Sequence, residues 1–327
     1  MEKKEVAVRV VAVILVILAG ALLWSWNKDD KEKQEQLVKK QERIAKYDLE
    51  IQKITDEIAK RESEINVEMD GYCILAFSAA DGELMTKIFP AMQRLGLKGT
   101  VVLNNGALPG TKEGKISKAN YKKLLDAGWD TAVGGSTGKD AKKAASTLRS
   151  FQEQLKKEGY PGAVSYLFEG QEYKQAKTEI YPVVHELGFQ ICGAKAANES
   201  ILASSENEEE QNVMECQNLS LRSQMTLVQD VIGQAISQKK PLILSDYTGA
   251  VTWDVSKEKS MENFVRLLEY VHQKQTEGKI GAGNFSGYLA VKEQARKATE
   301  QNRQAFEQYK QEQTKKIEEL QKKKEEE

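Results

Sequence analysis

Through the middle of the chain, short apolar runs alternate with stretches of helical period. The runs are Tyr72 to Phe77, Gly99 to Leu103, Trp129 to Val133, Ala163 to Phe168, Phe189 to Cys192, Val213 to Cys216 and Pro241 to Ser245. Between them lie amphipathic stretches around Leu84 to Leu95, Ser117 to Ala127, Ala141 to Lys157, Lys174 to Leu187, Arg222 to Gln238 and Ser260 to Gln275. Gly96, Gly128, Gly159 and Gly188 stand where helices should stop, because a helix commonly ends on a left-handed residue and glycine adopts that conformation freely. Strand and helix in strict alternation build βαβ units and a parallel sheet. Seven runs over this length point to an α/β fold whose sheet closes into a barrel.

The flanks follow other patterns. Val10 to Trp26 is 17 residues without a charge, and counting back through Val6 with a snorkelling Arg9 brings it to the span of a bilayer core. Trp24 and Trp26 sit at one end of the run, where amphipathic rings favour the interface. A membrane helix is expected. Its rival is a cleaved signal ending at Ala19-Gly20-Ala21, which would leave Leu22 to Trp26 as an apolar stub. Lys3, Lys4 and Arg9 before the run are balanced by Lys28, Lys31 and Lys33 after it, so the expected orientation, with the bulk of the chain outside the cell membrane, rests on the shortness of the leading tail.

From Asn27 to about Asn66 an apolar residue recurs every seven positions at Leu37, Ile44, Ile51, Ile58 and Ile65. Such a stripe predicts a coiled-coil stalk and a parallel homodimer, although Lys40 and Arg61 at the second seam row weaken it. The alternative is a single helix lying against the following domain. Val291 to Glu327 carries ten basic and nine acidic residues around sparse apolar positions and reads as a charged, solvated helix. The expected segments are 1–26 (tail and membrane helix), 27–67 (stalk), 68–290 (barrel) and 291–327 (terminal helix).

Composition narrows the chemistry. Among 327 residues, 48 Lys+Arg against 49 Asp+Glu leave a net charge of -1, so no positive field argues for nucleic acid. Three cysteines, Cys73, Cys192 and Cys216, stand in apolar runs, which speaks against a disulfide framework or a Cys-x-x-Cys knuckle. Two histidines, His185 and His272, exclude any site of three imidazoles, and both fall near helix ends, where a cationic ring is favoured by the helix dipole.

In folds of this kind the chemistry lies at the C-terminal ends of the strands. Those ends carry Ser78-Ala79-Ala80-Asp81-Gly82, Gly134-Gly135-Ser136-Thr137-Gly138-Lys139-Asp140, Glu169-Gly170-Gln171 and Ser245-Asp246-Tyr247-Thr248. The segment ILAFSAADGELMTKIFPAMQRLGLKGTVVL from Ile74 to Leu103, with LLDAGWDTAVGGSTGKD from Leu124 to Asp140, resembles the NodB homology domain of polysaccharide deacetylases. The resemblance covers about Gly71 to Ala290. It implies a distorted (β/α)7 barrel and a divalent-metal enzyme that removes acetyl groups from N-acetylglucosamine polymers such as chitin or peptidoglycan.

The catalytic letters of that family are largely replaced. Its first motif, T-F-D-D-G, supplies a base and a metal ligand; here Phe77 and Gly82 are kept with two extra residues between them. Anchored on Gly82, Asp81 matches the ligand and Ala80 the base; anchored on Phe77, both acids are lost. The second motif, H-T-x-x-H, is matched by Ser136 to Asp140, so both ligand histidines are gone. Tyr166, Leu167 and Phe168 stand for the third motif's arginine and prolines, and Leu244-Ser245 for the leucine-histidine pair that protonates the leaving amine. Zinc needs three or four close N, S or O donors, and Asp81, Ser136 and Asp140 suit a weak Mg²⁺ or Ca²⁺ site better.

Gly134 to Lys139 also lacks the spacing of a phosphate-binding loop, with three residues between Gly134 and Gly138 where that motif has four. The expectation is therefore a non-catalytic module at the cell envelope, without a resident metal, that binds a cell-wall glycan or a protein. Tyr247, Trp253 and Asp254 after the seventh run would be its contact residues, as aromatic faces beside a carboxylate suit the C–H faces and hydroxyls of a sugar. The alternative is an active carbohydrate deacetylase, or another hydrolase of non-peptide C–N bonds, with altered chemistry at Asp81, Ser136, Asp140, Ser245 and Asp246.

Overall fold

All seven apolar runs form strands. A computed structural model describes residues 28–104, 107–135, 141–168, 181–189, 191–195, 213–217, 225–245 and 258–327. The strands are β1 (Tyr72–Ser78), β2 (Thr100–Asn104), β3 (Asp130–Gly135), β4 (Ser165–Phe168), β5 (Ile191–Lys195), β6 (Val213–Gln217) and β7 (Pro241–Ser245). A short β8 (Gly281–Gly283) was not anticipated. The chain divides into two compact units, one spanning Glu68–Ala295 and the other formed by Met1–Val67 with Arg296–Glu327.

In the larger unit every strand pairing is parallel, and each strand from β2 to β7 pairs with the next. The sheet curls until β7 lies against β1, with Ala76 opposite Ser245, while β1 also pairs β2 through Ala76, Phe77 and Ser78. β8 takes the first half of that same edge, Tyr72 to Ile74. Three glycines make room for the join: a Cβ on Gly281 or Gly287 would collide with Tyr72, and one on Gly99 would come 2.9 Å from the Trp129 ring.

Alternation along each strand sorts the side chains into two cores. Tyr72, Ile74, Ala76, Val102, Ala132, Leu167 and Ile243 fill the inside of the curled sheet, and Phe285 and Tyr288 close it from below. Cys73, Leu75, Phe77, Val101, Val133, Tyr166 and Leu244 face outward and are covered by helices. Those helices are α2 (Phe89–Arg94), which follows a wide turn at Leu84–Ile88, then α3 (Lys118–Asp126), α4 (Ala141–Lys157), α5 (Tyr181–Glu186), α6 (Met225–Ser237) and α7 (Glu258–Thr276). Local chemistry sets their ends. The Ser117 hydroxyl accepts from the N–H of Asn120 and so caps α3. Gly96, Gly128, Gly159 and Gly188 all have positive φ, as their places after α2, α3, α4 and α5 required.

The smaller unit is made of α1 (Lys28–Ser63) and the far part of α8 (Phe285–Glu326), a helix that starts six residues before the expected Val291. Contacts run in opposite senses along the two. The Val67 N–H donates to Thr299 Oγ1 (2.9 Å), Asn302 Nδ2 donates to the carbonyl of Ile65 (3.3 Å), and the Arg61 guanidinium lies 3.9 Å over the Tyr309 ring. Farther on, Lys324 reaches Asp48 at 2.5 Å and Arg43 reaches Glu327 at 3.2 Å. The pair is antiparallel and lies within one chain. Within this unit Ile44, Ile51, Ile58 and Ile65 of the expected stripe are half-buried, as is Ile54, and Phe306 and Gln313 of α8 are buried. An intramolecular partner forms at high effective concentration and needs no second chain. Leu37 lies beyond the last of these contacts and is 46% exposed.

Among the described residues no helix is long and apolar enough to cross a membrane. The run from Val10 to Trp26 lies outside the described residues.

Candidate functional site

The C-terminal rim of the sheet is where the expected site residues would meet. Since Ala76, Val102 and Ile243 point inward, period-two alternation brings Ser78, Asn104 and Ser245 to the same side at the strand ends. Ser245 is 2% exposed and sits in register with Ala76, two residues before Ser78 on the neighbouring strand. Ser78 is half-buried, and its hydroxyl accepts from the N–H of Ala80 at 3.1 Å. Asn104 is exposed. At the ends of β1, β2 and β7 the donors are therefore two hydroxyls and an amide.

Asp81 stands apart from them. After Ser78 the chain turns, with the Asp81 N–H on the Ser78 carbonyl at 3.1 Å, and the Asp81 carboxylate accepts from the N–H of Glu83 at 2.7 Å. One carboxylate oxygen is thus occupied in shaping the turn. Phe77 belongs to β1 and packs outward on Trp129 and Phe264 at ring-centroid distances of 5.8 and 5.9 Å. Phe77 lies in β1 and Gly82 in the turn that follows it, so both anchors of the first motif fall at this strand end. Asn104 was missed by sequence reasoning, which sought acids and imidazoles; counting alternate residues outward from the apolar run would have found it.

Ser136, Asp140, Asp246, Tyr247, Trp253 and Asp254 lie outside the described residues. Tyr166 faces outward and donates its hydroxyl to the Gly135 carbonyl at 2.8 Å, while Leu167 is part of the inner core. His185 is exposed on α5. His272 is on α7, with Nδ1 buried and without a hydrogen-bond partner. Neither histidine stands at a strand end. Among the described residues no group of three His, Cys, Asp or Glu side chains is placed to hold a metal ion. Two hydroxyls, an amide and the turn-bound Asp81 are not by themselves the set of imidazole, thiolate or free carboxylate ligands that zinc takes.

No family model and no curated protein matches the chain. Solved structures do. A peptidoglycan deacetylase, PdaC from Bacillus subtilis, is similar at 14% identity and a TM-score of 0.41, covering 72% of this chain and 97% of its own. The catalytic domain of a peptidoglycan N-acetylglucosamine deacetylase from Eubacterium rectale is similar at 13% identity and a TM-score of 0.39, covering 66% of this chain and 89% of its own. A mutant CE4-family pseudoenzyme with restored activity is similar at 10% identity and a TM-score of 0.38, with 66% of each chain covered. A putative fructose-1,6-bisphosphate aldolase from Coccidioides immitis is matched as well, at 11% identity and a TM-score of 0.35, with 67% of this chain and 92% of its own covered. Identity and TM-score are low throughout, so a functional reading has to rest on the chain's own residues.

Proposed function

We propose that the chain is a membrane-anchored protein with a distorted (β/α)7 barrel like that of the NodB-type deacetylases, acting at the cell envelope as a glycan- or protein-binding module without metal-dependent deacetylase activity. Ser245 carries this reading. It ends β7, and by the resemblance Leu244-Ser245 stands for the family's leucine-histidine pair, whose histidine protonates the leaving amine. General acid catalysis needs a group that titrates near the working pH, and an aliphatic hydroxyl does not. The run from Val10 to Trp26 is the proposed anchor. Tyr247, Trp253 and Asp254 are the proposed contact residues for a sugar, and the stalk, 27–67, with its stripe of Leu37, Ile44, Ile51, Ile58 and Ile65, is the proposed seam of a parallel homodimer.

The experiment is metal analysis and acetate release on the full chain in detergent. We expect no stoichiometric zinc and no acetate from acetylated chito-oligosaccharides. Stoichiometric zinc with chelator-sensitive release would sink the proposal. Trp253→Ala then tests the contact residues: as a sugar platform it should abolish glycan affinity and leave the melting temperature in place, whereas a Trp in the core would cost about 3 to 5 kcal/mol when truncated.

A further inference from the structure

Ser165 opens β4 with a hydroxyl that is wholly buried and has no hydrogen-bond partner among the described residues. It stands two residues before Leu167 of the inner core and in register with Ala132, so its side chain points into the curled sheet. Burying a hydroxyl without a partner is costly, and native proteins leave few such groups. The surroundings on the inner face are small. Of the four inner positions that flank Ser165 and Leu167 on the adjoining strands, Ala132, Gly134 and Gly193 have little or no side chain, and Ile191 alone is branched. Barrels of this kind usually fill their inner layers with bulky branched residues, so a row of small ones beside an unpaired hydroxyl marks room for a bound molecule of very few atoms.

Such a molecule must pair with Ser165 and needs at least one further polar partner. Asp130 supplies it. This residue opens β3 two positions before Ala132, on the same inner face and diagonal to Ser165 across the pairing of β3 with β4. With strands about 4.8 Å apart and a rise of about 3.3 Å per residue, the two Cα positions are about 8 Å apart, which places a direct bond beyond the short serine side chain. The Asp130 carboxylate accepts from the Thr100 hydroxyl at 2.5 Å, from the N–H of Ser286 at 2.6 Å and from the Ser286 side chain. Its own N–H donates to the Gly99 carbonyl at 3.3 Å. A carboxylate takes about four hydrogen bonds, so one acceptor place stays open.

We propose that one water molecule is bound inside the curled sheet, donating to Asp130 and hydrogen-bonded to the Ser165 hydroxyl. An apolar molecule would leave both groups unpaired, and a metal ion would find one carboxylate already engaged by three donors. Water satisfies both sides. A buried water held by protein polar groups is a structural part of a fold, nearly as good in enthalpy as a direct bond. Because Ser286 lies in the first turn of α8, the bridge ties β4 through Asp130 to the place where that helix is seated.

Oxygen-17 relaxation dispersion on the full chain in detergent counts water molecules held for longer than the protein tumbles. Ser165→Ala should lose one such water relative to the wild type. Its denaturant midpoint should also fall, since Asp130 would keep an open acceptor with nothing to fill it. An unchanged water count overturns the proposal, whichever way the midpoint moves; with a raised midpoint it would show Ser165 to be a plain unpaired hydroxyl that alanine relieves. If Ser165→Ala does not fold, a crystal structure of the wild type decides. A water within about 3.2 Å of both the Ser165 hydroxyl and the Asp130 carboxylate sustains the bridge, and a direct bond between the two side chains, or no water between them, refutes it.

Discussion

The two units solve the same problem with different numbers of layers. In the curled sheet both faces of a strand are covered, so Ile74, Val101, Val133 and Leu242 have no exposure at all. In the antiparallel pair one helix covers one side of the other, so the isoleucine stripe of α1 stays half-open, and Phe306 is, among the described residues, the only large apolar side chain of the pair that is buried. A heptad stripe and a strand run look equally strong on paper. What separates them is how many neighbours the fold provides, and free energy from burial follows the area removed from water, not the regularity of the pattern.

The comparison breaks most readily at the plug. Phe285 has no exposure and joins the inner core. Phe285→Ala should cost about 3 to 5 kcal/mol in the denaturant transition of the larger unit. A loss under about 1 kcal/mol would mean that the inner core tolerates a hole, and the contrast between units would fail.

The buried tyrosines test the same core through pH. Burial pushes Tyr72, Tyr121 and Tyr288 from 10.0 up to about 12. Their contribution is fully present below the unfolded value of 10.0 and is lost as pH rises toward about 12, since the unfolded chain ionises first. Each is worth about 2 to 3 kcal/mol over that window. Tyrosinate absorbance should therefore rise together with unfolding, and ionisation near 10 with the larger unit intact would show the core to be open.

In the smaller unit the paired change Ile51→Lys with Ile58→Lys should cost about 2 to 3 kcal/mol, roughly half of full burial at each site. Helicity should fall while the transition of the larger unit stays in place. Sedimentation adds the decisive readout. A wild-type monomer whose pair opens on double substitution supports the intramolecular contact; a wild-type dimer that the two lysines dissociate would assign the stripe to a second copy.

The sequence was most informative where it encoded packing. The LGLKGT and AGW segments that carry the family resemblance turn out to hold Leu97, Gly99 and Trp129, which pack against one another and against Phe89, not residues of a site. All seven runs could be read for the same reason: a strand buried on both faces is a plain apolar run. β8 escaped because three residues of small side chain, Gly281 to Gly283, show no alternation. The rim was harder, since Ser78 and Asn104 are ordinary polar residues whose position depends on the register of neighbouring strands, which no single segment contains. The partner of α1 was hidden too, lying more than two hundred residues away in a helix with few apolar positions.

The smallest effect concerns Arg61, which stands where the second seam row should be apolar. In a parallel dimer two such arginines would face each other and repel. In the antiparallel pair Arg61 instead lies over the Tyr309 ring at 3.9 Å and reaches Glu57 at 3.2 Å. A planar cation over an aromatic face is worth about 0.5 to 1 kcal/mol at an exposed site. Arg61→Ala should lower the stability of the pair by that amount, and Arg61→Lys should recover only part of it, because the ammonium keeps the charge but loses the stacked plane. Adding salt separates the contributions further: the Glu57 contact weakens by screening while the stacked plane persists. Full recovery by lysine would reduce Arg61 to a simple charge, and no loss from either substitution would leave the seam held by its isoleucines alone.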